Sequence, residues 1–372
     1  MIFLEKTKKV VKDSIKMSIE NIRMKRFKYL FLKTKKRDMQ RILLQLEPKR
    51  KLLNSEFKEG VLKKWDRFGE RPQKFWYDLW YEKDGNLDYR YITEYIWLMK
   101  VVPYYNKASF RYAYADKNMQ DIYFPQIKQP TIIVKNMNGV FYNKENELIT
   151  YQDAIEITEQ YDEFIIKPSI ESGRGTGVAF YKKSKDEKLD IKEIFSAKGK
   201  DYIVQQIVQQ HEALASIHPN SLNTIRILTF VYEGDFNILA SYLRMGTAGK
   251  RIDNINQGGL KIQIQEDGSL SEFAINGQFK RFYQHPQGSS FKGVKIPNYD
   301  RVIETVKKAH FQLPYFKIVG WDIAIDTDGN PVLVEYNIGG PAVEQYFGGP
   351  IFGDLTEKVL QDVFSKKLPK TR

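Results

Sequence analysis

The chain has 372 residues, 42% hydrophobic, 28% charged and 14% aromatic, with a formal net charge of +13 and no cysteine. Such a length buries a sizeable core and fits two or three domains. The lack of thiols excludes disulfides, thiolate metal sites and cysteine nucleophiles, and fits a reducing cytoplasm.

Charge is uneven along the chain. Residues 1–72 hold 22 Lys and Arg against 9 Asp and Glu, which leaves 37 of each for the rest. A nucleic-acid enzyme would carry its basic stripe on the catalytic body as well, so no nucleic-acid partner is expected. No run of about 18 apolar residues reads as a membrane span, and the Lys-studded first thirty residues contain no secretion signal.

Residues 1–60 place apolar side chains at helical spacing among Lys and Arg, with Pro48 interrupting the second helix. A basic helix bearing Phe27, Tyr29, Leu30, Phe31 and Leu32 suits an anionic membrane face. The same pattern equally suits a helical arm packed on its own domain or on a partner. Trp65 to Tyr105 reads as mixed helix and loop, its aromatics serving either as core or as a stacking surface. A helix is expected from near Asp116 to before Pro125, and a strand after Pro130.

Residues 131–181 read as short strands with one helix around Tyr151–Tyr161. Within them, EFIIKPSIESGRGTGVAFYKK is a strand ending in Lys167-Pro168, a loop with Gly173, Gly175 and Gly177 at alternate positions, and a second strand from Val178. Such glycines let backbone N–H groups approach an anion, and Lys167 and Arg174 add charge. The strand-loop-strand order differs from both the Walker loop and the dinucleotide fingerprint, which open helices. A plain glycine-rich hairpin would look the same.

After a charged linker or helix come strands at Tyr202–Val208, Thr224–Tyr232 and Phe236–Arg244, a mostly antiparallel sheet. Arg226 and Arg244 interrupt apolar strands and need anionic partners, either a phosphate or carboxylate to clamp or an internal salt bridge. A polar loop with Lys250, Arg251, Asn254, Asn256 and Gly258-Gly259 could close over an anion. The four histidines show no ligand-like pairing for zinc. A helix at Asn298–Leu313 precedes IVGWDIAIDTDGNPVLVEYNIGGP, read as a β-hairpin. Pairing Asp326 with Pro331 around a four-residue loop sets Asp322 opposite Glu335, with Asn337 on the same face. Three oxygen donors then converge, a set suited to Mg²⁺ or Mn²⁺. A surface hairpin with scattered acids is the other reading. A helix at Asp354–Ser365 and a basic tail close the chain.

Taken together, Asp116-Lys117, Lys167-Pro168 with its glycine-rich hairpin, Gln205-Gln206-Ile207-Val208, and Asp322 with Glu335 and Asn337 resemble the ATP-grasp superfamily. The spacing of the acidic hairpin is similar to that of D-alanine–D-alanine ligase-like members. QQHEALASIHPNSLNTIRILTF, GWDIAID…EYN and GGPIFGDLTEKVL resemble the sugar-transfer-associated ATP-grasp family, linked with bacterial surface polysaccharides. The resemblance spans roughly residues 80–365.

The resemblance implies an α+β, ATP-grasp fold, two α+β subdomains holding ATP between them, with a basic helical N-terminal extension. It divides the chain into an arm (1–72), an aromatic-rich segment (73–130), a first subdomain (131–208), a second (209–365) and a basic tail (366–372). Lys117 and Lys167 would meet the phosphates, with the hairpin Ser172, Gly173, Arg174, Gly175, Thr176 and Gly177 folded over them. Gln205, Gln206, Ile207 and Val208 would border adenine, Glu212 would face the ribose, and Asp322, Glu335 and Asn337 would hold Mg²⁺. Arg226 and Arg244 would offset charge during catalysis. The expected activity is ATP-dependent carboxylate–amine ligation through an acyl phosphate in surface-polysaccharide synthesis, with carboxylate and amine partners that are small or glycan-linked. A phosphotransferase and a silent nucleotide-binding partner of glycosyltransferases are the alternatives. The expected location is cytoplasmic, with residues 1–50 touching the inner membrane face.

Overall fold

The computed structural model describes residues 2–46, 54–85, 87–170, 176–184, 189–249, 258–340 and 344–365, without the side chains of 2–21, 24 and 82–84. Pro48 and the tail 366–372 lie outside that set. The chain forms two units, residues Met1–Lys100 with Gly353–Arg372, and Val101–Phe352. These limits differ from boundaries at 72 and 365: the last helix, Thr356–Phe364, packs in the first unit.

In the first unit the helix Ile2–Leu46 turns Phe31, Lys35, Met39 and Leu43 to one side, as a spacing of four on a helix requires. Met39 and Leu43 are buried, Lys35 pairs with Glu94 at 2.7 Å, and the Phe31 ring lies 6.1 Å from that of Tyr95. The aromatic-rich segment is core here. Trp80 stacks on Tyr91 with ring centres 4.4 Å apart, and the buried Trp65 Nε1 and Tyr77 Oη donate to the carbonyls of Tyr89 and Tyr91. Trp65 also meets Phe364 edge-on, and Arg67 pairs with Glu357, which fastens the last helix to this unit. Among the described residues no helix is long and apolar enough to cross a membrane.

The second unit holds two antiparallel sheets. The first contains β1 (Ile132–Met137), β2 (Val140–Tyr142), β3 (Leu148–Ile149), β4 (Glu163–Pro168), β5 (Ala179–Lys182) and β6 (Tyr202–Gln205), in the order β3-β2-β1-β6-β4-β5. Helices Tyr151–Glu159 and Ile191–Lys198 share its core, where Ile133, Phe164, Ile166 and Phe195 are buried. Thr150 and Asp153 form a reciprocal capping box that starts the first helix. β6 stops at Gln205, three residues short of the expected end, so the following segment is free of strand pairing.

The second sheet contains β7 (Thr224–Tyr232), β8 (Asp235–Met245), β9 (Leu260–Ile264), β10 (Leu270–Ile275), β11 (Arg281–Phe282), β12 (Ile318–Ile325) and β13 (Pro331–Asn337). Their order is β11-β10-β9-β8-β7-β12-β13, and β10 and β11 extend the expected set. One face buries Ile227, Leu243, Ile262, Trp321 and Leu333 with Val302 and Val306 of the helix Tyr299–Phe311. Alternation therefore sends Arg226, Tyr242 and Asp322 to the opposite face.

The acidic hairpin reaches the expected pairing by another route. Ile325, not Asp326, pairs with Pro331, which makes the loop one residue longer than expected. The register then shifts between Asp322 and Ile323, where Val334 is an extra residue on β13. That bulge restores Asp322 opposite Glu335. Asp326 itself closes the loop, accepting from the backbone N–H of Asp328 and Asn330.

Candidate functional site

The polar face of the second sheet carries a row of charge. Asp322 lies between Glu335 on one side and Arg226 on the other, with Tyr242 beyond Arg226. Arg226 donates to both oxygens of Asp322, from Nε at 2.5 Å and from an Nη at 2.7 Å. Arg244 approaches the same carboxylate at 3.4 Å and also donates to Thr224 Oγ1. Burial pushes the Asp322 pKa up, but the two guanidinium groups outweigh it and hold the carboxyl below its ordinary value. Burial likewise opposes the Arg226 charge, and Asp322 overcomes it. Both shifts favour the charged forms of the pair. Of the two readings of Arg226, the structure shows the internal salt bridge.

Two lysines reach this row from the other sheet and its flank. Lys117 opens a short 3₁₀ turn, Lys117–Met119, capped by the Asp116 side chain, and its backbone N–H donates to Ser169 O just past β4. Its Nζ stands 3.6 Å from Glu335 Oε1. Lys167, near the end of β4, has its pKa lowered from 10.5 to about 8, first by burial, with Glu335 opposing and Lys117 adding to the fall. Lys117 and Lys167 thus both lie near Glu335, a pair of cations that a polyphosphate would complement.

Next to Lys167 is a cavity of about 340 Å³. Glu163, Ile165 and Lys167 of β4 and Phe180 and Lys182 of β5 form one wall; Pro130, Gln206 to Gln210, residues 219–222 and Val334 form the rest. Gln206 N–H is used by Thr131 O. Among the described residues, no backbone hydrogen bond involves Ile207 or Val208. Their donors and acceptors therefore remain available at the cavity, as the edge of a planar base requires. Gln205 is buried at the end of β6 and stays outside the lining.

Glu212 opens the short helix Glu212–Ala215 and does not line this cavity; the lining carboxylate is Glu163. Glu163 faces Lys182 across the strands at 3.6 Å and accepts from Gln209 Nε2 at 3.3 Å. Sequence reasoning passed over Glu163, Phe180 and Lys182 because they read as ordinary strand residues; their proximity to the Lys167 strand was the available signal. Of the glycine-rich hairpin, Thr176 and Gly177 are described. Gly177 takes φ +76°, and a Cβ there would meet Pro168 Cγ at 2.6 Å, so both conformation and space demand glycine. Ser172, Gly173, Arg174 and Gly175 lie outside the described residues, as do Lys250, Arg251, Asn254 and Asn256.

The donor set fits a hard cation. Asp322, Glu335 and Asn337 are oxygen donors on neighbouring strand positions; Asp322 Oδ1 is shared by Arg226 and Arg244, while Oδ2 accepts from Arg226 and keeps a second lone-pair direction.

A model of the family described as sugar-transfer associated ATP-grasp matches residues 99–347. No curated protein matches the chain. Solved structures that it is similar to include an L-amino acid ligase from Bacillus licheniformis, at 14% identity and a TM-score of 0.38, with 67% of this chain and 47% of that chain covered. The D-alanyl-alanine synthetase A from Vibrio cholerae O1 is 10% identical with a TM-score of 0.42, covering 68% of this chain and 65% of that one. An N5-carboxyaminoimidazole synthetase from Staphylococcus aureus, complexed with ADP, gives 12%, 0.39, 68% and 52%. The chain thus spans about half to two thirds of the length of these proteins. The family match covers most of the chain and includes the two lysines, Ile207 and Val208, and the acidic hairpin described above, and the chain belongs to the sugar-transfer associated ATP-grasp family.

Proposed function

We propose that the protein is an ATP-dependent carboxylate–amine ligase acting in the synthesis or modification of a surface polysaccharide. One observation carries this reading: Lys117, Lys167, Glu335 and the Asp322–Arg226 pair meet beside a base-sized cavity. The base lies in the cavity, with its edge on the backbone of Ile207 and Val208 and its face toward Phe180. Lys167 and Lys117 hold the phosphates. Glu335, Asp322 and Asn337 would hold Mg²⁺, which supplies charge neutralisation at the phosphates when bound.

A carboxylate is a poor electrophile. Its oxygen attacks the γ-phosphorus, the bond from that phosphorus to the β–γ bridging oxygen breaks, and ADP leaves. The resulting acyl phosphate is captured by an amine, whose lone pair forms the C–N bond as phosphate departs and a proton is released. The chain's part is to gather charge: Arg226 and Arg244 flank Asp322, and the lysines offset a carboxylate that approaches a triphosphate. No protein nucleophile is required, in keeping with a chain without cysteine.

The test is ADP release with Mg²⁺ over a panel of uronic acids, nucleotide-sugar acids and amino acids, with hydroxylamine as trap. Carboxylate-dependent hydroxamate formation supports ligation. Phosphoryl transfer to a hydroxyl without hydroxamate would replace it with a kinase.

The first helix suggests where the protein works. Its side away from Met39 and Leu43 shows Ile22, Leu30 and Leu44, exposed by 50 to 66%, among Arg23, Arg26, Lys33, Arg37 and Arg41. Apolar side chains interleaved with cations suit the surface of an anionic bilayer. Full-length protein should sediment with vesicles rich in phosphatidylglycerol, and Leu30→Gln with Leu44→Gln should release it. Unchanged sedimentation would remove the membrane from this reading.

A further inference from the structure

Arg111 lies in the short helix Arg111–Tyr114, six residues before Lys117, and sequence reasoning gave it no role. The segment it starts runs along the end of β13, touching the strand twice and the residues just after it once. Lys117 reaches Glu335, Tyr336 Oη donates to Tyr114 O, and the Arg111 guanidinium lies against Gly339. A Cβ on Gly339 would fall within 2.7 Å of an Arg111 Nη, with Nε and Cζ closer still. Gly339 is not among the glycines of positive φ, so what a side chain there would meet is the guanidinium, which it would push aside. Asn106 Nδ2 donates to Ile338 O at 2.9 Å and to Ile318 O at 2.7 Å, which fixes the end of β13 under that guanidinium.

Arg111 is exposed, and among the described residues no ion pair or hydrogen bond engages its guanidinium. Two described arginines of this face are committed, Arg226 to Asp322, and Arg244 to Asp322 and Thr224. A planar cation laid on a glycine, two residues beyond Asn337, is oriented but still short of an anion.

We propose that Arg111 binds an oxyanion of the reacting centre, either the terminal phosphate of ATP or the carboxylate that attacks it. This rests on the nucleotide- and carboxylate-binding reading above. Gly339 acts as the platform that holds the guanidinium flat and leaves its Nη edge open to a bidentate partner.

Calorimetric titration of the full-length protein tests this with three probes: Mg·ADP, Mg·AMP-PNP, and D-glucuronate added after Mg·AMP-PNP. Arg111→Ala should weaken one of two steps about tenfold. Weaker AMP-PNP with ADP unchanged places Arg111 on the terminal phosphate. Weaker glucuronate with both nucleotides unchanged places it on the carboxylate. Gly339→Ala, which displaces the guanidinium, should reproduce the same pattern, and Arg111→Lys should fall between. Equal weakening of ADP and AMP-PNP, or wild-type constants for all three probes, overturns the proposal. Hydroxamate formation by the wild type reports on the ligase reading separately.

Discussion

Lys167→Met should stabilise the free protein while abolishing its grip on nucleotide. In the absence of a polyphosphate, burial lowers the Lys167 pKa from 10.5 to about 8, and the neighbouring Lys117 charge adds to the fall. That difference is a cost of roughly 3 kcal/mol for the charged form in the folded state. The sign follows from proton counts. Below about pH 8 the group is charged folded and unfolded, and the full cost is present. Between 8 and 10.5 the folded form has shed a proton that the unfolded form retains, so stability rises with pH. A methionine, of similar length and uncharged, is free of this cost. The gain from Lys167→Met should therefore be largest near neutral pH and should shrink toward zero as the pH approaches 10.5. Urea unfolding of wild type and variant at the two ends of that range, without nucleotide, measures it. Mg·ATP should then raise the wild-type midpoint and leave that of the variant unmoved. A variant less stable than wild type at neutral pH, or a gain that ignores pH, would refute the account of Lys167 as a destabilised cation awaiting phosphate.

Asp322→Asn leaves the buried Arg226 guanidinium without its counter-charge and should lower stability by about 3 kcal/mol, read from denaturant midpoints. Adding Arg226→Met to Asp322→Asn in one double variant should recover part of that loss; no recovery would show that the pair is not the source. Glu335→Gln removes one oxygen charge from the donor set and from the Lys117 pair, so Mg²⁺-dependent ATP affinity should fall about tenfold in calorimetry with little change in stability. Val208→Pro deletes a backbone N–H at the cavity and should weaken ATP and ADP equally, by about tenfold, because base binding is common to both; an effect on ATP alone would contradict the placement of the base.

The strands β7 and β8 and the pairing of Asp322 with Glu335 were legible because hydrophobic alternation and turn residues mark them directly. The route to that pairing was not. A regular hairpin is the default inference, whereas the longer loop and the bulge at Val334 leave no composition signal. Asp322 was legible as an acid on the right face, but its bidentate partner required knowing that β7 lies alongside β12. Lys167 stood out through its lysine-proline-glycine context. Glu163 and Arg111 did not, since a carboxylate at a strand start and an arginine in a short helix are ordinary surface choices.

Val334 gives the hairpin a separable design. It is the surplus residue of β13, opposite no residue of β12, and it forms part of the cavity wall. Excising it would leave a regular strand in which Leu333 still enters the core and Glu335 still faces Asp322. The charged half of the site would survive while the base lost a wall. A single-codon deletion would therefore divide recognition of the base from handling of the phosphates.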